Sequence, residues 1–217
     1  MKLLIYGAGG LGREYCDVAN RINALQNRWS EIAVVDDHEA LGQEYYGCGV
    51  YTFAGLDALN RDECEFVVAV GNPGTRCELW QKMKQAGFKG AILVDPKSCV
   101  SPSAKVCEGA VISAFAFVSS LSTIGENSLV LPGAVVGHDT VIGAHSFVCC
   151  NATLGGNVHV GERVFFAENV PVREGLTIGT DSIMSLGSVI LRDVPEAVVM
   201  FGNPARAMAK NEDKKVF

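Results

Sequence analysis

The segment LVLPGAVVGHDTVIGAHSFVCCNATLGG, residues 129–156, decides the fold. Its branched apolar residues recur at Val130, Val136, Ile142, Val148 and Leu154, every sixth position, a period that neither a 3.6-residue helix nor an alternating strand produces. Followed outward, the register gives Val100, Val106, Ile112, Val118 and Ile124 before it, and Val160, Phe166, Val172, Ile178, Met184 and Ile190 after it. All sixteen are apolar. With 48% hydrophobic residues and six possible registers, chance gives such a run about 5 times in 100,000, so the period is a structural repeat. The second position is Gly at 125, 137, 143, 155, 161 and 179, and the fifth is Ala, Ser or Thr in eleven of the sixteen hexads.

A six-residue unit of one short strand and one turn closes a triangular coil in three units. The residue at position one then points into the shaft and stacks on its counterpart eighteen residues later. Small residues at position five fit inside the corner, and Gly at position two is expected to permit a tight backbone there. Sixteen hexads make about five coils, which at about 4.8 Å per stacked strand gives a prism about 25 Å long. No hexad is interrupted by an inserted loop. The prism is therefore expected to be smooth, with a partner molecule supplying the second wall of any cleft.

Residues 1–96 follow a different rule. The apolar run KLLIY (2–6) is closed by the glycine-rich GAGGLG (7–12), and Tyr15, Val18, Ala19, Ile22 and Leu25 then follow at helical spacing. Further apolar runs at 32–35, 66–70 and 91–94 read as strands, and 75–86 reads as a helix. Short continuous strands separated by helices indicate a parallel sheet, here a Rossmann-like α/β half domain. The expected organisation is this half domain over 1–96, the hexapeptide solenoid over 97–195, and a cap and tail over 196–217.

Composition excludes several functions. The chain has 217 residues, 19% of them charged, which excludes wholesale disorder. A net charge of -6 leaves no positive field to hold a phosphate backbone, so nucleic acid is not an expected partner. The eight cysteines include no Cys-x-x-Cys pair and read as reduced thiols of a cytoplasmic protein. The apolar run at 3–6 is too short for a signal or a membrane span, and no membrane insertion is expected.

By spacing alone GAGGLG, with Asp36 about 24 residues beyond it, could mark a dinucleotide site. A segment of about 95 residues is short for a full two-half dinucleotide fold. One half suffices for a nucleotide, and a purely structural module packed on the solenoid is the remaining reading.

Taken in order, IYGAGGLG (5–12), VVDD (34–37), AVGN (69–72), VSPSA (100–104), GHDTVIG (137–143), the hexads and GNPA (202–205) make the chain recognisable. It resembles the left-handed β-helix acyltransferases, and within them the sialic-acid O-acetyltransferase and nucleotide-sugar N-acetyltransferase family of NeuD-like and PglD-like proteins. The resemblance implies an α/β Rossmann-like half domain followed by a left-handed parallel β-helix, acetyl-CoA as cosubstrate, and a homotrimer with active sites between prisms. It implies that the glycine loop (Gly9, Gly10, Leu11), Asp36 and Asp37, and the Gly71-Asn72 turn hold a nucleotide sugar, with the diphosphate against backbone N–H groups. Leu11 stands where UDP-sugar members often carry histidine.

Attack of an amine or hydroxyl on a thioester needs a base, and imidazole is matched to that at neutral pH. The resemblance places the base on His138, supported by Asp139, and an acetyl contact on the Gly156 N–H, eighteen residues on. Around the cofactor it aligns Phe147 with a histidine, Glu168 with an aliphatic residue and Leu186, beside Gly187, with a glycine. It sets Gly202, Asn203, Pro204 and Arg206 against the adenosine end of CoA. His145 and His159 are expected to be surface or interface polar residues. No metal is expected: the His138, His145 and His159 spacings lack the His-x4-His of β-helix carbonic anhydrases, and zinc needs at least three convergent ligands. The expected reaction is direct N-acetylation of a nucleotide-linked amino sugar without an acyl-enzyme. O-acetylation of a sugar hydroxyl such as that of sialic acid, and a noncatalytic nucleotide-sugar scaffold, are the alternatives.

Overall fold

The computed structural model describes residues 1–38, 42–212 and 216. KLLIY forms β1 (Lys2–Tyr6), whose Leu3, Leu4 and Ile5 are fully buried, as a central parallel strand requires. The glycine loop then opens α1 (Gly10–Gln26), which turns Tyr15, Cys16, Val18, Ala19 and Ile22 inward. A Cβ at Gly12 would collide with the Gly7 carbonyl oxygen, so the last glycine of the fingerprint lets helix and loop approach closely. The chain continues through β2 (Glu31–Val35), β3 (Glu44–Tyr45), β4 (Cys48–Tyr51), β5 (Cys64–Val68), α2 (Pro73–Gln85) and β6 (Lys89–Gly90). These strands lie in the order β3-β4-β2-β1-β5-β6. All neighbours are parallel except the β3–β4 hairpin.

The apolar run 91–94, expected as a further strand of this sheet, does not join it. Ala91 N–H still bonds to the Phe66 carbonyl at 2.7 Å, but Leu93–Val94 pairs with Val111–Ile112 and forms the first strand of the solenoid. A short apolar run fits either a sheet strand or a solenoid rung, and pairing partners decide between them.

The solenoid has three faces of two-residue parallel strands. The first runs from Leu93–Val94 to Ile183–Met184, the second from Cys99–Val100 to Pro171–Val172, and the third from Lys105–Val106 to Thr177–Ile178. Register advances by eighteen residues per coil, as in Phe117↔Val135, Val135↔Thr153 and Thr153↔Pro171. Val118, Val136, Val148 and Phe166 at position one are fully buried in the shaft. Position-five hydroxyls join successive coils: Thr140 Oγ1 donates to the Gly155 carbonyl at 2.8 Å and accepts from Val158 N–H at 3.2 Å. Ser128 and Ser146 bridge their corners in the same way, so groups a strand cannot reach are satisfied.

The role expected of Gly at position two needs correction. The left-handed residue of every turn from Gly109 to Gly187 is at position four, as in Asn127 (φ 52), Asp139 (φ 57), His145 (φ 60) and Asn157 (φ 56), a position rich in Asn, Asp and Gly. The position-two glycines are required by stacking instead. A Cβ at Gly137 would lie 2.5 Å from the Gly155 carbonyl carbon of the next coil.

The lower end of the first face is extended by Val198–Phe201, parallel, and closed by Arg206–Lys210, antiparallel. Its upper part is covered by the α/β segment, so that the outward residues Val111 and Leu129 are fully buried and both segments share one apolar core.

Candidate active site

His138 and Asp139 stand in the turn between the second and third faces. Asp139 adopts the left-handed conformation that the corner demands, which sets its carboxylate back against its neighbour: Asp139 Oδ2 lies 2.8 Å from His138 Nδ1. With Nδ1–H donating to the carboxylate, Nε2 carries the lone pair, and the imidazole is 59% exposed. One coil on, Gly156 lies under this ring. A Cβ there would be 2.5 Å from both Cε1 and Nε2 of His138, so the absence of a side chain leaves the space the imidazole occupies. The adjacent Asn157 N–H bonds to the His138 carbonyl at 2.8 Å, while among the described residues nothing accepts from the Gly156 N–H. A base with a free nitrogen beside an unengaged backbone donor suits attack on a thioester carbonyl whose oxygen gains charge.

The expected cofactor residues gather elsewhere. Glu168, Leu186 and Gly187 lie on the edge between the first and second faces, and Glu168 and Leu186 are exposed. Gly202 joins them, since its N–H reaches Ser188 Oγ at 3.3 Å and its carbonyl accepts from Val189 N–H at 3.0 Å. Asn203 and Pro204 follow directly in the turn, and Arg206 opens the closing strand, paired with Phe201. Phe147 points outward from the first face but is buried, stacked on Phe165 at 5.4 Å between centroids. Its Cζ is the nearest atom, at 4.0 Å, to a Cβ built on Gly71, so the Gly71-Asn72 turn adjoins this second group. Within one chain the structure unites His138, Asp139 and Gly156 on one edge, and sets Glu168, Leu186, Gly187 and Gly202 along a different edge with Phe147 on the face beside it.

The glycine loop stands at the carboxyl end of the parallel strands. Around Gly9 there is open space, and at Gly10 a Cβ would meet only the Arg13 side chain at 3.8 Å. Leu11 is half-buried against the core. Asp36 accepts from Ala8 N–H at 2.9 Å and His38 N–H at 3.0 Å, and Asp37 accepts from Phe53 N–H at 2.7 Å with Lys82 Nζ at 3.7 Å. These carboxylates hold the loops around the crevice in place. Asn72 caps α2 by accepting from Thr75 N–H at 3.1 Å, a contact worth about 1 kcal/mol of helix stability.

His145, expected at a surface or interface, is buried. Its Nδ1 faces Asn127 Nδ2 at 2.9 Å beneath the α/β segment, and burial, with the Arg76 guanidinium adding to it, pushes its pKa down to about 4. It is neutral at physiological pH. Arg76 is the residue that sequence reading missed. Fully buried, it donates to the Asn127 carbonyl at 2.6 Å, the Tyr15 hydroxyl at 3.3 Å and the Val68 carbonyl, tying α1, β5 and the solenoid together. Nothing in the charge pattern of α2 marked it. His159 is exposed on the third face. Among the described residues no three His, Cys, Asp or Glu side chains converge to hold a metal ion, and no helix is long and apolar enough to cross a membrane.

Comparison with known proteins bears on the fold and the family. A family model described as the PglD N-terminal domain matches residues 2–83, and one described as bacterial transferase hexapeptide (six repeats) matches residues 122–156. The acetyltransferase domain of PglB from Neisseria gonorrhoeae, solved in complex with acetyl coenzyme A, is 30% identical with a TM-score of 0.89 over 95% of this chain and 98% of that one. PerB from Caulobacter crescentus, solved with CoA and GDP-perosamine, is 30% identical with a TM-score of 0.86 over 96% of this chain and 98% of that one. Curated relatives match over a shorter stretch. The galactoside O-acetyltransferase of Escherichia coli is 32% identical over 57 residues, 26% of this chain and 28% of that one. The chain thus spans under a third of the length of the curated relatives it matches.

Proposed function

The chain belongs to the hexapeptide-repeat acetyltransferases that carry a PglD N-terminal domain, and on that premise we propose that it transfers the acetyl group of acetyl-CoA to the amine of a nucleotide-linked amino sugar. The observation that carries this reading is the His138–Asp139 pair standing over the side-chain-free Gly156. The acceptor amine attacks the thioester carbon as Nε2 of His138 takes its proton. The Gly156 N–H donates to the carbonyl oxygen as it becomes an oxyanion, and collapse of the tetrahedral adduct breaks the C–S bond. The imidazolium, stabilised by Asp139, returns its proton to the departing CoA thiolate, so the enzyme ends as it began. The crevice at Gly9 and Gly10 receives the nucleotide diphosphate. That PerB was solved with GDP-perosamine supports an acceptor of this class.

The separation of the two groups of candidates carries the assembly. Acetyl-CoA reaching from His138 to Glu168, Leu186 and Arg206 spans two edges of one prism, but a second copy laid against the first brings one edge of each together. The expected assembly is a homotrimer sedimenting near three times 23.1 kDa. A stable monomer with full activity would remove this arrangement.

Acceptor screening tests the activity directly: UDP-, GDP- and dTDP-linked amino sugars are offered with acetyl-CoA while thiol release is followed. A second test isolates the glycine loop. Aspartate at Gly10 meets no backbone, and an acid in the first turn of α1 favours the helix, so Gly10→Asp is expected to fold normally. Its charge against the diphosphate is expected to raise the acceptor KM about tenfold or more, with the acetyl-CoA KM unchanged. Unchanged acceptor affinity would make the α/β segment a purely structural module.

A further inference from the structure

The edge that carries His138 continues downward in register. Val136, Leu154, Val172 and Ile190 pair in succession, so position three of the turn is occupied in turn by His138, Gly156, Glu174 and Arg192, and position two by Gly137, Gly155 and Arg173. The turn below Ile190 is two residues short of the regular period, since Val194 rather than residue 196 bridges to Ile178. Arg173 and Arg192 are both exposed. Among the described residues neither guanidinium makes a hydrogen bond or ion pair, although the protein carries a net charge of -6. The neighbouring Asp193 is occupied, accepting from Thr177 N–H at 2.8 Å.

We propose that Arg173 and Arg192 form a phosphate anchor for the CoA moiety, on the same edge as the base. This rests on the acetyl-CoA reading above. Arg192 is three rungs below His138, about 14 Å at the strand spacing. The arm between the thioester and the diphosphate of CoA has about thirteen bonds and extends about 15 Å. A thioester held at His138 and Gly156 therefore delivers the diphosphate to the level of Arg192, with Arg173 one rung above it and within a side chain's reach. Glu174 shares the rung of Arg173, about 10 Å below His138 and level with the amides of the arm, from whose N–H groups a carboxylate accepts. Planar guanidinium groups match phosphate oxygens in paired hydrogen bonds.

The test compares two acetyl donors in the trimeric enzyme: acetyl-CoA and S-acetyl-N-acetylcysteamine, which has the thioester but no phosphate. Arg173→Ala and Arg192→Ala are each expected to raise the acetyl-CoA KM about tenfold, with kcat and the parameters for the short thioester unchanged, and the lysine variants are expected to recover part of the loss. Acetyl-dephospho-CoA locates the contact. A full effect there places the arginines on the diphosphate, and loss of the effect places them on the 3′-phosphate. Equal losses with both donors, or no change with acetyl-CoA, overturn the anchor. Calorimetry of CoA itself needs no turnover: weaker binding in both alanine variants upholds the anchor even if no amino sugar is acetylated, whereas failure of wild type to bind CoA overturns it.

Discussion

His138→Ala is expected to lower turnover about 100- to 10,000-fold, the range that a positioned general base contributes. The side chain projects from a turn, is 59% exposed and, among the described residues, hydrogen-bonds only to Asp139, so its removal leaves the shaft and the coil-to-coil ladder intact. Sedimentation, thermal melting and CoA binding are accordingly expected to match wild type while thiol release collapses. Asp139→Asn is expected to cost less. Asparagine is at ease in the left-handed conformation of residue 139 (φ 57), so the corner persists and only the charge behind the imidazolium is lost. Near wild-type turnover in His138→Ala with the true acceptor would place the base on another residue.

Gly156→Ala is expected to reduce turnover about 100-fold without unfolding the protein. The added methyl would be 2.5 Å from Cε1 and Nε2 of the imidazole, and a turn side chain moves aside more readily than backbone. The displaced ring then misses the attacking amine, and an ångström of misplacement in a reacting geometry costs about that factor. The same methyl crowds the backbone N–H that faces the oxyanion. The contrast is Gly175→Ala on the same edge, where no atom lies within 4 Å of the new Cβ and no group of the proposed mechanism is touched. Its left-handed φ of 72 strains the corner slightly, so it is expected to lower the melting temperature a little and leave kcat in place. A Gly156→Ala enzyme with normal kcat would contradict the placement of His138 over this glycine.

The solenoid was legible because a period of six is a one-dimensional property: Val136 points inward whatever stands beside it in space. The helix at α1 and the half domain were legible for the same reason, from local spacing after GAGGLG. What pairing decides was not. Leu93–Val94 reads as well for one sheet as for the other, and only its partner Val111–Ile112 assigns it. The physical role of the position-two glycines was misplaced because a tight turn and a close stack demand the same residue. His138, Asp139 and Gly156 came from resemblance, and the structure sets them in contact. The burial of His145 and the part played by Arg76 depend on the docking of α2 against the third–first edge, which no periodicity records.

The sealed seam between the segments bears on how such chains can be recombined. Val111 and Leu129 point away from the shaft yet have no solvent exposure, and Trp80 Nε1 and Lys84 Nζ reach across to Glu126 and Glu108 at 2.7 Å each. The α/β segment is therefore the lid of the upper coils, whatever it binds. A chimaera that exchanges acceptor specificity by grafting another relative's first ninety or so residues must carry the matching outward residues of the first face with it. Otherwise the graft joins a foreign lid to bare apolar rungs, and the hybrid fails at the seam before its specificity can be read.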